Sequence, residues 1–463
     1  KAGYSTVFYD YMIAILGGGI SGLSAAFELK KAGKEFILLE ANPSVGGKIQ
    51  SSQQLGFTLE HGPNTVLINN AETKKLIEEL GLLEKLIFPE EKASSNRFVL
   101  KNGSIEPFPS GLKKMLQSKL FSFSTLLSIL KEPFNKTSSA TEDESLAAFI
   151  ERRLGKQILD DFITPFVTGI YAGDPYKMSA KYTMNLIKEA EEKHGSIIKG
   201  MMKIMKAKKI ENETIGLPKQ KIFTFKNGLQ ELISALHKTI EQEVQWGAKC
   251  TKIEHSNQNY TIHYEQNREE KTLVTTHVIS ALPAFALAEL AHNFAFGLSN
   301  SLSKINYVPA ISVHFAFDSK NMAFKEKAFG ILSRNEEKVP FLGILFNSHF
   351  FPRAAPNGKD LITVICGGAR YPEIVGKSDE EVFEELNTCL RDLLGLNGNF
   401  DLKHIVRWKR GIPQYEVGYK TIESEIDLFL GAHHNFKIAA NFYKGISVSD
   451  CIKNGSLAAQ SLM

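Results

Sequence analysis

Tyr11-Met12-Ile13-Ala14-Ile15-Leu16-Gly17-Gly18-Gly19-Ile20-Ser21-Gly22 runs from an apolar segment straight into a glycine-rich turn. Tyr11 to Leu16 has the length and unbroken apolarity of a strand buried on both faces of a parallel sheet. Residues 20–32 then read as a helix, with Leu23, Ala26, Phe27 and Leu29 on its apolar face and Gly33 as its stop. A second apolar strand, Phe36-Ile37-Leu38-Leu39, ends in Glu40. Strand, GxGxxG, helix, strand and acid form the dinucleotide fingerprint. Gly17 makes the tight turn, Gly19 lets backbone approach a diphosphate, and Gly22 lets helix and strand pack closely. The N–H groups of Gly18, Ile20 and Ser21 fall at the helix N-terminus, where an anion is favoured. Glu40 stands where a carboxylate accepts hydrogen bonds from ribose hydroxyls.

Working outward, Ala41 to Ser51 carries the pair Gly46-Gly47 followed by Lys48. This resembles the Gly-Gly segment of the amine oxidase and phytoene desaturase group of flavoproteins. In that group the second loop closes over the FAD diphosphate and the basic residue reaches toward the flavin. The loop Glu60-His61-Gly62-Pro63-Asn64-Thr65 can bring backbone N–H groups near a flavin ring, and Asn102-Gly103 supplies the positive φ angles of a hairpin turn within 97–105. At the far end, Ile438 to Asn441 reads as a buried strand, then a loop through Ile446, Ser447 and Val448, and a helix from Asn454-Gly455 to Leu462. In the same group that last loop and helix lie under the flavin pyrimidine ring. Both chain ends therefore build one nucleotide site, with the middle inserted.

The bulk figures agree. The 463 residues are 43% hydrophobic and 23% charged, a globular composition too long for one ordinary core. Lys and Arg number 55 against 51 Asp and Glu, a formal charge of +4 that gives no reason to expect nucleic acid. Cys250, Cys366, Cys389 and Cys451 show neither a CxxC nor a metal-ligand spacing, so a reducing compartment and no metal are expected. No apolar run reaches ~18 residues, so no membrane span is expected. Residues 110 to about 209 read as helix-rich. There Lys113, Lys114 and Lys119 flank Met115, Leu116, Leu120, Phe121, Phe123, Leu126, Leu127, Ile129 and Leu130, a pattern that suits a lipid interface as well as an internal helix pair.

Phe166-Val167-Thr168-Gly169-Ile170-Tyr171-Ala172-Gly173-Asp174-Pro175 resembles the signature of protoporphyrinogen oxidases, a family that includes the related coproporphyrinogen III oxidases. Arg97-Phe98-Val99-Leu100, His194 to Ile198, Arg407-Trp408, Ile412 to Tyr415 with Val417-Gly418, and Asp450-Cys451-Ile452 fit the same family. The resemblance implies an α/β chain with three parts. One is an FAD domain of the p-hydroxybenzoate hydroxylase type at 11–91, 240–300 and 409–463. The second is an α+β substrate domain at 92–109, 205–239 and 301–408, and the third a helical membrane-binding domain at 110–204. It implies non-covalent FAD held by Gly17 to Gly22, Glu40, Ala41, Gly47, Lys48, Gly62 to Thr65, Cys250, Trp408 and Ile446 to Val448. It also implies that Arg97 pairs with a substrate propionate, that Gly169 lies against the macrocycle, and that Leu332 and Phe351 sandwich the rings.

The family departs from this chain at two places. Cys250 stands where valine is usual, and Thr65 follows Asn64 where serine is common. The implied reaction removes six electrons from protoporphyrinogen IX in three flavin cycles with O2 as acceptor, by hydride transfer to flavin N5 and without a protein acid or base. Coproporphyrinogen III oxidation is the alternative. An amine oxidase or a non-enzymatic binder on the same fold is more distant. Peripheral attachment to the inner face of the cell membrane, or to an organelle membrane in a eukaryote, is expected, and a homodimer is left open.

Overall fold

The computed structural model describes residues 6–8, 12–109, 112–118, 120–135, 143–217 and 222–463. Tyr11 and Lys119 lie outside them, as do the side chains of Lys113 and Leu116.

A parallel sheet runs in the order Val244–Trp246, Phe36–Glu40, Ile13–Leu16, His277–Ser280, Phe436–Ile438. Alternation along its central strand sorts the residues onto two faces. Ile13 and Ile15 pack with the helices Ile20–Lys31, Gln230–Ile240 and Val448–Gln460. Met12, Ala14 and Leu16 pack with the antiparallel strands Lys249–Ser256, Asn259–Gln266 and Glu269–Thr275 and with the helices Ala284–Ala291 and Tyr419–Ala432. A strand buried on both faces needs no polar side chain, which is why the fingerprint strand reads as continuous apolar sequence.

A second sheet runs Leu402–Pro413, Tyr307–Asp318, Lys359–Gly367, Gly343–Leu345, Gly330–Ser333, Arg97–Lys101, Ser104–Pro107. Its pairs are antiparallel except Gly330–Ser333 with Arg97–Lys101. Phe98 and Leu100 turn to a core closed by the helix Asp379–Leu394, whereas Val99 turns to the helical part of the chain. Asn102 and Gly103 adopt φ of 53° and 74°, the turn expected from their sequence. The helices from Leu112 to Ile215 share a core around Phe149, Ile150, Leu159 and Val167. Within it Glu132 and Arg153 form a buried ion pair, and Glu132 also accepts from the N–H groups of Ile197 and Ile198 at 2.8 and 3.2 Å.

Several expectations are corrected. The helix Gln230–Ile240, expected with the substrate part, buries Leu232, Ile233, Leu236 and Ile240 against the nucleotide sheet. Residues 205–215 complete the helix Ile197–Ile215, which packs on Asn185–His194, and do not open a new unit. The last strand ends at Ile438. The last helix begins at Val448, because Ser447 and Asp450 form a capping box six residues earlier than the expected start. The helix Ala71–Glu79 stops short of Gly81, which has φ of 67°. Phe121 and Leu120 are buried, so the apolar segment around them presents Phe123, Leu127, Leu130 and Phe134 outward instead.

Candidate active site

The fingerprint turn is built around positions that reject a side chain for different reasons. Gly17 has φ of 96°. A Cβ on Gly22 would lie 2.0 Å from the Gly17 carbonyl oxygen, so helix and strand can meet only without one. A Cβ on Gly19 would meet no protein atom within 4 Å, so the protein's own packing does not require glycine there. Gly19 is the N-cap of the helix Ile20–Lys31, with no side-chain cap and no acid in the first turn. The first-turn N–H groups thus face an open cradle that suits a diphosphate.

Glu40 ties this turn to the end of the second strand. Its Oε2 accepts from Gly18 N at 2.6 Å, and its Oε1 accepts from the backbone and side-chain nitrogens of Asn42 at 2.8 and 2.7 Å. Gly46 donates to the Gly18 carbonyl at 2.8 Å, and a Cβ on Gly47 would lie 3.3 Å from Gly19 Cα. The two glycine-rich loops therefore form one wall. Ala41 is exposed beside it. Ala248 N donates to the Glu40 carbonyl at 2.8 Å, which brings in the strand carrying Cys250, whose thiol burial pushes up to about 12.

Next along the site, a Cβ on Gly62 would lie 2.1 Å from the Lys48 carbonyl oxygen. Lys48 Nζ sits 5.6 Å from the Tyr307 ring centroid, and burial lowers its pKa to about 8. The loop Gly62-Pro63-Asn64-Thr65 is pinned from the second sheet. Trp408 Nε1 donates to the His61 carbonyl at 2.8 Å, and Asn347 Nδ2 donates to Asn64 Oδ1 at 2.8 Å. From the far end of the chain, Gly455 approaches so closely that a Cβ would lie 2.1 Å from the Ser21 carbonyl oxygen. That contact sets the first turn of the last helix, with Ile446, Ser447 and Val448, beside the fingerprint. Cys451 in this turn is buried, its thiol raised to about 12.

Of the second group of expected residues, Gly169 and Leu332 meet where the second sheet faces the helix Thr164–Tyr171. Arg97, Val99 and Lys101 share one sheet face by alternation, and Val99 packs into the helical core. On the adjacent strand, Leu332 pairs with Val99 and meets Gly169, where a Cβ would lie 2.5 Å from Leu332 Cδ2. Arg97 is half-buried and, among the described residues, has no ion-pair partner. Its guanidinium stacks 4.8 Å from the Phe329 ring centroid, and burial lowers its pKa. Phe351 belongs to a cluster with Ala93 and Phe350 that reaches Arg97 through Phe329. Three contributors escaped the sequence reading. Phe166 and Ile170 are exposed on the face of Gly169, a pattern visible as the i, i+3, i+4 spacing. Asn347 reaches Asn64 across 283 residues, which no local signal announces.

Comparison with known proteins gives this geometry its context. The sequence pattern of flavin containing amine oxidoreductases matches residues 20–463. The chain is 29% identical to the coproporphyrinogen III oxidase of Bacillus subtilis (strain 168), over 97% of both chains. It is 30% identical to protoporphyrinogen oxidase 2, chloroplastic/mitochondrial, of Arabidopsis thaliana, over 96% of this chain and 92% of that one. A crystal structure from Exiguobacterium sp. 255-15, assigned to protoporphyrinogen oxidase, superposes with a TM-score of 0.82 at 22% identity, over 98% of this chain and 99% of that one, and supports the fold. The chain is an FAD-dependent oxidoreductase of mixed α/β fold that belongs to the flavin containing amine oxidoreductases and, within them, to the protoporphyrinogen oxidase family.

Proposed function

We propose that this protein oxidises protoporphyrinogen IX to protoporphyrin IX in three two-electron steps, with O2 as acceptor and H2O2 as product. The names of its relatives support the substrate class. The observation that carries the reading here is Arg97, a half-buried cation without a carboxylate partner among the described residues, on the sheet face it shares with Val99, while Phe166 and Ile170 leave apolar surface exposed beside Gly169. A flat apolar disc bearing carboxylates suits that pairing of a slot with a fork-shaped cation. Leu332 contributes apolar surface to the slot, and Phe351 packs on Phe350, which stacks on Phe329 under Arg97. Coproporphyrinogen III is the second reading, favoured by the Bacillus subtilis relative at 29% identity.

In this reading the N–H groups at Gly18 to Gly22 and the loop at Gly47 hold the diphosphate, and Glu40 accepts from the ribose while bracing Gly18. Cys250 contacts the adenosine end through its backbone, and Lys48, Gly62 to Thr65, Trp408 and the first turn from Ile446 to Val448 surround the ring system. Bound FAD supplies the acceptor for two electrons at a time. The chain's own task is to hold the substrate's meso carbon at ~3–3.5 Å from its acceptor and to exclude water. The cofactor is held non-covalently in this reading, since Cys451 falls within the Asp450-Cys451-Ile452 stretch common to the family and gives no separate reason for a link.

The apolar residues Phe123, Leu130 and Phe134, which are 76%, 53% and 83% exposed, favour peripheral docking on an anionic lipid surface, with Lys199 stacked on Phe134 beside them. Among the described residues no helix is long and apolar enough to cross a membrane. The functional reading is tested by supplying protoporphyrinogen and coproporphyrinogen separately in air while porphyrin fluorescence and H2O2 are followed. Porphyrin formation with three H2O2 per ring is expected. Absence of both products with both substrates overturns the proposal.

A further inference from the structure

The helix that carries Gly169 is not regular. Lys156–Ile158 passes into a π segment, Leu159–Ile163, and then into Thr164–Tyr171 without a break. Asp161 lies in the π segment and is 2% exposed. Its Oδ2 accepts from Lys101 Nζ at 2.7 Å and from Gln157 Nε2 at 3.1 Å, and its Oδ1 lies 3.0 Å from Arg334 Nε. Lys101 is on the strand of Arg97, and Arg334 lies two residues beyond Leu332. One buried carboxylate therefore grips both strands that border the slot.

The π segment explains how one helix face can do this. Eight residues separate Asp161 from Gly169. In a regular α-helix that advance leaves the two about 80° apart. The extra residue of a π turn makes the advance equivalent to a heptad, which misses two full turns by only about 20°. Asp161 and Gly169 thus come to one face, and both meet the same strand pair, through Arg334 and Lys101 at one point and Leu332 at the other. The fit is close at the second point, since even a methyl on Gly169 would lie 2.5 Å from Leu332 Cδ2 and displace that side chain. Buried ion pairs are a poor route to stability, because well-packed apolar groups of similar volume do as well. The hydrogen bonds that Asp161 accepts from Lys101 and Gln157, with the close Arg334 ion pair beside them, do fix an azimuth and a register, which apolar packing does less sharply.

We propose that Asp161 is a positioning residue for the porphyrinogen. By holding Lys101 and Arg334 it sets the rotation of the helix Thr164–Tyr171, and so the line along which Gly169 meets Leu332 and the alignment of that wall of the slot with Arg97. The proposal rests on the substrate reading given above. Wild-type turnover separates the two, because failure of the wild type to oxidise either porphyrinogen overturns that reading whatever Asp161 does.

The test compares wild type, Asp161→Asn, Leu332→Ala and the double variant in steady-state oxidation of protoporphyrinogen, with coproporphyrin III binding read by fluorescence. Asp161→Asn is expected to raise KM about ten- to hundredfold, more than it lowers kcat. FAD content and the rate at which air reoxidises the dithionite-reduced flavin are expected to stay at wild-type values. In the double variant the effect on KM should fall well short of the product of the single effects, because both changes act on one seat. If Asp161→Asn does not fold, Lys101→Met, which leaves Asp161 paired with Arg334, carries the same comparison. An unchanged KM, a KM effect that multiplies with that of Leu332→Ala, or a rise in KM matched by equal losses in FAD content and reoxidation rate overturns the proposal.

Discussion

Gly19 and Gly22 belong to one motif, yet the structure gives them opposite liabilities. A Cβ on Gly22 would stand 2.0 Å from the Gly17 carbonyl oxygen, a backbone atom that cannot swing away. Gly22→Ala must therefore lift helix Ile20–Lys31 from its strand, and overpacking of this kind costs ~1–3 kcal/mol or more, ahead of the ~1 kcal/mol by which alanine favours a helix. A Cβ on Gly19 meets nothing within 4 Å, and its φ of −69° suits any residue. Gly19→Ala should change the stability of the apoprotein by less than about 1 kcal/mol, the scale of an N-cap substitution. Its methyl would enter the space before the first-turn N–H groups and displace a diphosphate from one of them. At about 1.5–3 kcal/mol for a charge-assisted hydrogen bond, FAD should bind about 10- to 150-fold more weakly. Thermal unfolding of the apoproteins and calorimetric titration with FAD measure both quantities. Gly19→Ala that binds FAD like the wild type, or that unfolds as readily as Gly22→Ala, would refute the reasoning.

Three further expectations rest on single sites. Arg97→Ala should lower kcat as well as raise KM at normal flavin loading, and Arg97→Lys should recover part of the loss because charge survives without the fork; full activity of the alanine variant at subsaturating substrate removes Arg97 from the slot. Burial raises Glu60 to about 7 from 4.5, against the hydrogen bonds it accepts from Ser51 and Leu229 N. The folded state thus holds this proton more tightly than the unfolded chain does, so the associated stability is full below about pH 4.5 and is lost as pH rises to about 7, on the order of 3 kcal/mol. Glu60→Gln should flatten the fall of Tm across that window, and an unchanged slope contradicts the assignment. Replacing Phe123, Leu130 and Phe134 by serine should weaken sedimentation with anionic vesicles at least ~tenfold, whereas the same change at buried Phe121 should destabilise the fold instead; equal vesicle binding by the triple variant ends the lipid proposal.

What the sequence disclosed follows the range of the interactions involved. The fingerprint was legible because its glycines fall in one short stretch between two apolar strands, with Gly22 against the Gly17 carbonyl five residues back, and Asn102-Gly103 because a hairpin turn is local chemistry. The strand Leu402–Pro413 was harder to see, since Lys403, His404, Arg407, Lys409 and Arg410 break its apolar pattern. Gly330–Ser333 is too short to announce itself, and its parallel pairing with Arg97–Lys101 spans more than two hundred residues. The start of the last helix was hidden because Val448, Ser449, Asp450 and Cys451 are weak helix formers, and only the cap reveals them as its first turn. The π segment leaves no periodic trace, because one inserted residue breaks the spacing that would mark the face.

The most direct measurement of the central claim is a single turnover without oxygen. Purified yellow protein mixed anaerobically with protoporphyrinogen should lose its flavin absorbance in one phase, at a rate that saturates with substrate and falls in Arg97→Ala. Coproporphyrinogen in a parallel mixing ranks the two substrates. Flavin that stays oxidised with both porphyrinogens, in protein that dithionite reduces normally, would contradict the assignment.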